Sequence, residues 1–398
     1  MRVLAGSCTQ NSTPFHIFSF FMKTHNGAGK VQETGALLRR LGVDKALIVC
    51  DEGVKKAGIV ERVTNSLTQA QVEFALFDKV QADPPSEVVD EGAAFCRAER
   101  CGAVIAVGGG SSIDTAKGIN LLRCNPGKIM DYAGQKNEMK KAGGLVAVPT
   151  TAGTGSELSD GLVITSPEHV KCPILATNAM AEYIVLDPLL TVGLPAGLTA
   201  STGMDVLAHS VESYTSTAAS VPTDQISEGN IRSVIQWLPL AVSYPDAVKP
   251  REHMAVASML GGWMLRYGHT HAGHSVAHIL GARCGIPHGY ACAYALPWVL
   301  EFNAPALPKK TAAVGRMFGC SFTGAETPQQ AGMAVRQAVI AFRDETLRLR
   351  PISGFAERPD DGMLDRMAAE IEMELFQAFN PRRMKKEDAR IILENIFS

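Results

Sequence analysis

Apolar and polar positions change their rhythm near the middle of the chain. In the first half, short apolar runs bounded by polar residues or glycine recur at Lys45–Cys50 (KALIVC), Glu73–Phe77, Ala103–Val107 and Gly144–Val148. Runs of this length predict strands buried on both faces. Between them, Val31–Leu41 and stretches at about 56–71 and 86–100 carry helical spacing. Strands alternating with helices predict a parallel sheet flanked by helices. After Asp187-Pro188 the pattern becomes helical throughout. One helix opens at Pro195-Ala-Gly and runs to Tyr214; others follow at about 223–243, 250–268, 271–283, 290–302, 308–318, 327–348, 362–375 and 385–396. No strand pair is predicted beyond 196. The predicted fold class is an α/β N-terminal domain, residues 1–195, followed by an all-α C-terminal domain, residues 196–398.

Composition narrows the function classes. A chain of 398 residues, 46% hydrophobic and 20% charged, has room for two packed domains. A formal net charge of −2 and the lack of any basic block argue against a nucleic-acid partner. The apolar run Phe15–Met22 is too short to span a bilayer and lacks the basic start and small-residue cleavage site of a signal peptide. Nine cysteines without a Cys-x-x-Cys pair read as reduced thiols, so the expected location is cytoplasmic, with no membrane partner. Residues 1–14, polar and irregular, read as an extension.

Candidate chemistry concentrates between His269 and His288, where half of the ten histidines fall. On a helix His274 and His278 stand on one face a turn apart, and His288 follows a Gly-Ile-Pro break. Asp205 and His209 repeat the i, i+4 spacing upstream. A carboxylate and a histidine on one helix, facing histidines from another segment, are donors that a divalent transition metal takes. Singly, each would read as an ordinary helix-face residue; two such pairs plus His288 predict a metal site. The spacing does not choose which of them bind.

The first half carries a second kind of signal. The strand at Ala103–Val107 runs into Gly108-Gly-Gly-Ser-Ser-Ile-Asp-Thr-Ala-Lys117, a bare-backbone loop opening a helix. Such a loop lets backbone N–H groups and the helix N-terminus approach a pyrophosphate. A second loop, Thr150-Thr-Ala-Gly-Thr-Gly155, follows the next strand and adds hydroxyls. Asp51, at a strand end, suits either an adenosine ribose or a plain helix N-cap. Because this acid precedes the glycine loop, the arrangement departs from the ordinary Rossmann fingerprint.

Taken together, GGGSSIDTAKG (108–118), PTTAGTGSE (149–157), GMDVLAHSVESY (203–214), HSVAHILGARCGIPHG (274–289) and FNPRRMKKED (379–388) resemble the iron-containing, or group III, alcohol dehydrogenases over nearly the whole chain. The resemblance implies a dehydroquinate-synthase-like fold, with the α/β domain holding a dinucleotide, the helical domain holding a metal, and the active site between them. It implies NAD(H), one iron(II) ion with zinc(II) as the other option, and commonly a homodimer. By position, the metal ligands fall on Asp205, His209, His274 and His288, while His278 falls on a catalytic histidine beside the substrate. The cofactor residues fall on Asp51, Gly109, Gly110, Ser111, Thr150, Thr151, Thr154 and Lys171. The implied reaction is reduction of a short-chain aldehyde or oxidation of its primary alcohol, with His278 relaying the proton.

Departures from the family bear on substrate. The stretch before His274 reads WMLRYGHTH (263–271), where the family usually carries small apolar residues and an Asn. Arg266, His269 and His271 therefore predict positive charge or donors near the pocket. Gly161 stands where a larger polar residue is common, and Asp83 replaces a commoner Asn. An opened, cationic pocket would suit a small aldehyde carrying a sulfonate or carboxylate. The alternatives are a neutral short-chain substrate, an NAD- and metal-dependent lyase or synthase on the same fold, and a metal-free reductase of the maleylacetate type.

Overall fold

The computed structural model describes residues 23–398 apart from 136. The expected extension at 1–14 and the run Phe15–Met22 lie outside the described residues. The first half contains β1 (Lys23–Asn26), α1 (Thr34–Arg40), β2 (Lys45–Asp51), α2 (Glu52–Lys56), α3 (Ile59–Gln69), β3 (Glu73–Val80), α4 (Ser86–Ala98), β4 (Ala103–Gly108), α5 (Gly110–Cys124), β5 (Leu145–Pro149), β6 (Gly161–Thr165), β7 (Lys171–Leu175) and β8 (Tyr183–Leu186). The second half is helical: α6 (Ala196–Thr215), α7 (Val221–Ser243), α8 (Val248–Tyr267), α9 (Ala272–Cys284), α10 (His288–Asn303), α11 (Pro308–Met317), α12 (Pro328–Ala341), α13 (Asp361–Met373) and α14 (Lys386–Ile396).

The main sheet is parallel throughout, in the order β1-β8-β5-β4-β2-β3. Alternate residues of each strand feed two cores. Leu47, Val49, Val104, Ala106, Leu145 and Ala147 pack with α4 and α5, while Ile48, Cys50, Ile105, Val107, Val146 and Val148 pack with α1 and α3. Burial on both faces is why these strands read as unbroken apolar runs. From β2 the chain steps outward to β3, then crosses back so that β4 lies on the other side of β2. The carboxyl ends of β2 and β4 therefore flank the topological switch point, where open α/β sheets bind ligands.

Several elements differ from the sequence expectation. Strands β1 and β8 complete the sheet, and β6 and β7 form an antiparallel hairpin between β5 and β8. All four are short, and β1 (KTHN) is polar at an exposed edge, so their sequences carry little signal. The helix expected at about 56–71 is α3, which starts at Ile59 after Gly58 takes a left-handed conformation at φ 71°, and the short α2 ahead of it was not expected. The long helix expected over 327–348 ends as α12 at Ala341 and passes into one π-helical turn, Phe342–Thr346.

Helix α6 is buried along nearly its whole length, packed by α7, α8 and α10. Its polar residues are consequently enclosed and need partners. Helix α8 reaches into the other half, where Trp263 and Met264 join the core under the sheet. Beside them the loop after β5 meets α8 backbone to backbone. A Cβ on Gly262 would stand 1.9 Å from the Gly155 carbonyl oxygen, so this junction requires glycine. Among the described residues no helix is long and apolar enough to cross a membrane.

Candidate metal centre and cofactor cleft

Helix α6 sets Asp205, His209 and Glu212 at i, i+4 and i+7, one continuous face. Helix α9 brings His274 to that face, and His288 enters from the first turn of α10. Asp205 Oδ1 is the hub: His209 Nε2 lies 3.4 Å away, His274 Nε2 3.6 Å and His288 Nε2 3.6 Å. These separations match the edge of a tetrahedron with bonds of about 2.1 Å, roughly 3.4 Å. Asp205 Oδ1 is buried without a hydrogen-bond partner, an arrangement that costs several kcal/mol if no cation meets it. Ligand atoms of Asp205, His274 and His288 lie within 4.8 Å of one another and fit a divalent ion, and His209 stands against the same carboxylate oxygen.

The electrostatics agree. Burial alone would raise the Asp205 carboxyl, yet the imidazoles of His209, His288 and His274 outweigh it and hold the group far below the carboxylate range. Burial pulls His209 and His288 below the usual imidazole value, while the Asp205 carboxylate draws each back up. His274 is different. Burial pulls it down, but Cys292 and Glu212 raise it well above the ordinary value. Glu212 accepts from His274 Nδ1 at 2.8 Å and from the backbone N–H groups of His271 and His274. Such a carboxylate fixes the tautomer, points Nε2 at the hub and makes the ring a stronger donor.

Enclosure is uneven. The side chains of Asp205, His209 and His274 are 3–4% exposed, whereas His288 is 37% and His278 31% exposed. The cluster therefore opens along the His288–His278 edge. His278 Nδ1 lies 3.1 Å from Glu374 Oε1, and Glu374 is itself held by Ser275 Oγ and the Phe376 N–H. Glu212 and Glu374 escaped the sequence reading. The i+7 continuation of the 205/209 face was a signal for the first; nothing local marks the second.

The cofactor candidates gather at the switch point. One oxygen of Asp51 accepts from Val54 N–H at 2.9 Å, capping α2, and the other lies 3.4 Å from Ser112 Oγ beside the glycine loop. Asp51 is thus a helix N-cap whose second oxygen stands beside the glycine loop. Helix α5 begins at Gly110, and its first N–H groups, Ser111 included, lack intrahelical partners by construction. Thr150 N–H donates to the Gly108 carbonyl. Thr151 and Thr154 pack on the loop so closely that a Cβ on Gly109 or Gly110 would stand 3.1 or 2.7 Å from them. Bare backbone, a helix N-terminus and a carboxylate together fit a dinucleotide. Lys171 is committed elsewhere: its ammonium pairs with Asp83 at 2.7 Å on the exposed side of β7, so reaching a cofactor requires that pair to open.

The cationic pocket expected from Arg266, His269 and His271 needs correction. Arg266 lies 3.4 Å from the Asp160 carboxylate and also contacts Met180 Sδ, so its charge is already met. His271 is buried, with Nε2 2.9 Å from Thr215 Oγ1, and burial lowers it to about 4, a neutral ring at working pH. His269 stacks on Phe379 and is likewise lowered by burial. Gly161 opens β6, where its carbonyl accepts from the buried Lys117 ammonium at 2.7 Å. The sequence showed the charges and could not show their partners.

Comparison with known proteins agrees with this geometry. Residues 22–188 match the family described as iron-containing alcohol dehydrogenase, and residues 199–397 match the C-terminal part of the Fe-containing alcohol dehydrogenase family. The chain is 34% identical over 373 residues to the NAD-dependent methanol dehydrogenase of Bacillus methanolicus, covering 93% of this chain and 96% of that one. It is 36% identical over 326 residues to the 1,3-propanediol dehydrogenase of Klebsiella pneumoniae, covering 81% and 84%. Among solved structures, a 1,3-propanediol oxidoreductase superposes with a TM-score of 0.90 at 32% identity, covering 96% of this chain and all of the other. Two matched family regions, relatives of this similarity and a buried carboxylate ringed by three imidazoles place this chain in the iron-containing alcohol dehydrogenase family.

Proposed function

We propose that the chain is an NAD(H)-linked, metal-dependent dehydrogenase that interconverts a small uncharged primary alcohol and its aldehyde. The observation that carries the reading is Asp205 Oδ1, buried without a partner and ringed by three imidazole nitrogens. A divalent ion held by Asp205, His209, His274 and His288 supplies Lewis-acid polarisation of the substrate oxygen. The chain's own residues do the rest. Gly109, Gly110, Ser111 and the α5 N-terminus present N–H groups to the pyrophosphate, and Thr150, Thr151 and Thr154 wall the loop. Asp51 accepts from a ribose hydroxyl and repels a 2′-phosphate, favouring NAD over NADP. Glu374 holds His278 Nδ1–H, which turns Nε2 to the open edge of the cluster to carry the proton between substrate and solvent. A homodimer belongs to the same proposal on the strength of the family alone.

An uncharged substrate is favoured because Arg266 is paired and His271 is neutral and buried. The test is NADH oxidation by metal-stripped, reloaded protein with neutral aldehydes (acetaldehyde, propanal, lactaldehyde) against anionic ones (sulfoacetaldehyde, succinic semialdehyde). Metal-restored activity concentrated on the neutral set is expected. Activity confined to the anionic set, lost in Arg266→Ala, would return the cationic pocket. No activity with metal bound would favour the lyase reading.

A further inference from the structure

One buried donor beside the metal cluster has no place in the family's ligand set. Cys292 sits on α10 one turn after His288 and is 1% exposed. Its Sγ lies 3.6 Å from His288 Nε2 and 3.9 Å from His274 Nε2. Asp205, His274, His288 and Cys292 offer ligand atoms that all fall within 4.8 Å of one another. Two donor sets thus overlap, sharing Asp205, His274 and His288 and differing in the fourth member, the His209 imidazole or the Cys292 thiol. Bonds of about 2.3 Å to sulfur and 2.0 Å to nitrogen on one tetrahedral ion put the two atoms roughly 3.5 Å apart, close to what Cys292 and His288 show. The unpartnered Asp205 Oδ1 belongs to both sets and gives an independent reason for a cation in that space.

We propose that Cys292 is a thiolate ligand of this centre, its S–H proton passing to solvent as the sulfur–metal bond forms. The soft donor tilts the site from iron(II) toward zinc(II), since imidazole and carboxylate serve both ions while thiolate favours zinc. The inference rests on the metal-dependent reading above and puts Cys292 in place of His209 in its donor set.

The test uses full-length protein stripped of metal and reloaded with cobalt(II) alone. Thiolate ligation produces a sulfur-to-cobalt charge-transfer band in the near ultraviolet, whereas visible d–d bands report bound cobalt whatever the ligands. Wild-type protein is expected to show both, and Cys292→Ser to keep the d–d bands while losing the charge-transfer band. The preference for zinc over iron(II), measured by competition, is expected to fall at least about tenfold in Cys292→Ser. Wild-type d–d bands without the charge-transfer band would overturn the thiolate and leave the metal site standing. A charge-transfer band that survives in Cys292→Ser would overturn it as well, by placing the sulfur elsewhere. An unchanged metal preference would overturn the tilt toward zinc. Protein that takes up no cobalt would bring down the metal-dependent reading and this proposal with it.

Discussion

Asp205 in the helical half and Glu157 in the loop after β5 are both buried carboxylates, and their surroundings treat them in opposite ways. Around Asp205, helices α6, α9 and α10 converge three imidazoles, and the carboxyl is held far below its usual range. Glu157 has no such ring. Burial raises it to about 7, the Lys117 ammonium offsets this only in part, and Glu157 Oε1 has no hydrogen-bond partner. Lys117 donates to the Ser159 carbonyl and hydroxyl and to the Gly161 carbonyl, tying the hairpin to α5. The helical half thus gathers imidazoles around its buried carboxylate. The nucleotide half is built around bare backbone, and a buried charge there goes largely uncompensated.

Four single substitutions, one of them with a second-site partner, break or sharpen that contrast. The largest effect is expected from Asp205→Ala, which removes the hub of the cluster. Metal content by elemental analysis should drop to near zero and kcat/KM by about 10³-fold, or ~4 kcal/mol. Retention of a full metal complement would end the claim that the carboxylate organises the site.

Glu157→Gln probes the other carboxylate through stability. The folded state holds the Glu157 proton more tightly than the unfolded chain, whose carboxyl titrates near 4.5. The stability from that proton is therefore present below about pH 4.5 and lost as pH rises to about 7, up to ~3 kcal/mol. The glutamine variant lacks this loss, so its unfolding midpoint should gain on wild type between about pH 5 and pH 8. An unchanged difference at both pH values would mean that Glu157 ionises freely in the fold.

Next in size, Glu212→Gln should weaken metal binding about 10- to 100-fold in a chelator competition, because the carboxylate behind His274 is lost. Unaltered affinity would reduce Glu212 to a prop for the start of α9. The smallest effect belongs to the backbone-built side. Gly110→Ala puts a methyl 2.7 Å from Thr154 Cγ2 and should raise KM for NADH about tenfold with metal content unchanged. Adding Thr154→Ser, which removes that Cγ2, should recover part of the loss; no recovery would place the cost in the backbone itself.

Local spacing accounts for what was legible. Asp205/His209 and the His274 segment stood out because a helix turns i, i+4 pairs into one face, and the strands of the sheet centre stood out because both faces are buried. Glu212 and Cys292 also carried a spacing signal, at i+7 from Asp205 and i+4 from His288. Their meaning depends on which faces meet. Glu374 offered none, since it reaches His278 from the short segment after α13. Arg266 and His271 misled for the same reason: Asp160, Thr215 and Glu212 neutralise or enclose them from distant segments. The strands β1 and β8 gain their place from pairing with each other and with β5, which four residues cannot announce.

By itself, the sequence determined the change from α/β to helical architecture, the donor types available for a metal and the bare loop for a dinucleotide. These follow from periodicity and residue chemistry, which are local. The tertiary structure alone decided which side chains meet one carboxylate oxygen, which charges are already spent on partners, and that a thiol lies beside the imidazoles. Those outcomes depend on distances of a few ångströms between segments far apart in the chain, and only the packing of α6, α8, α9 and α10 sets them.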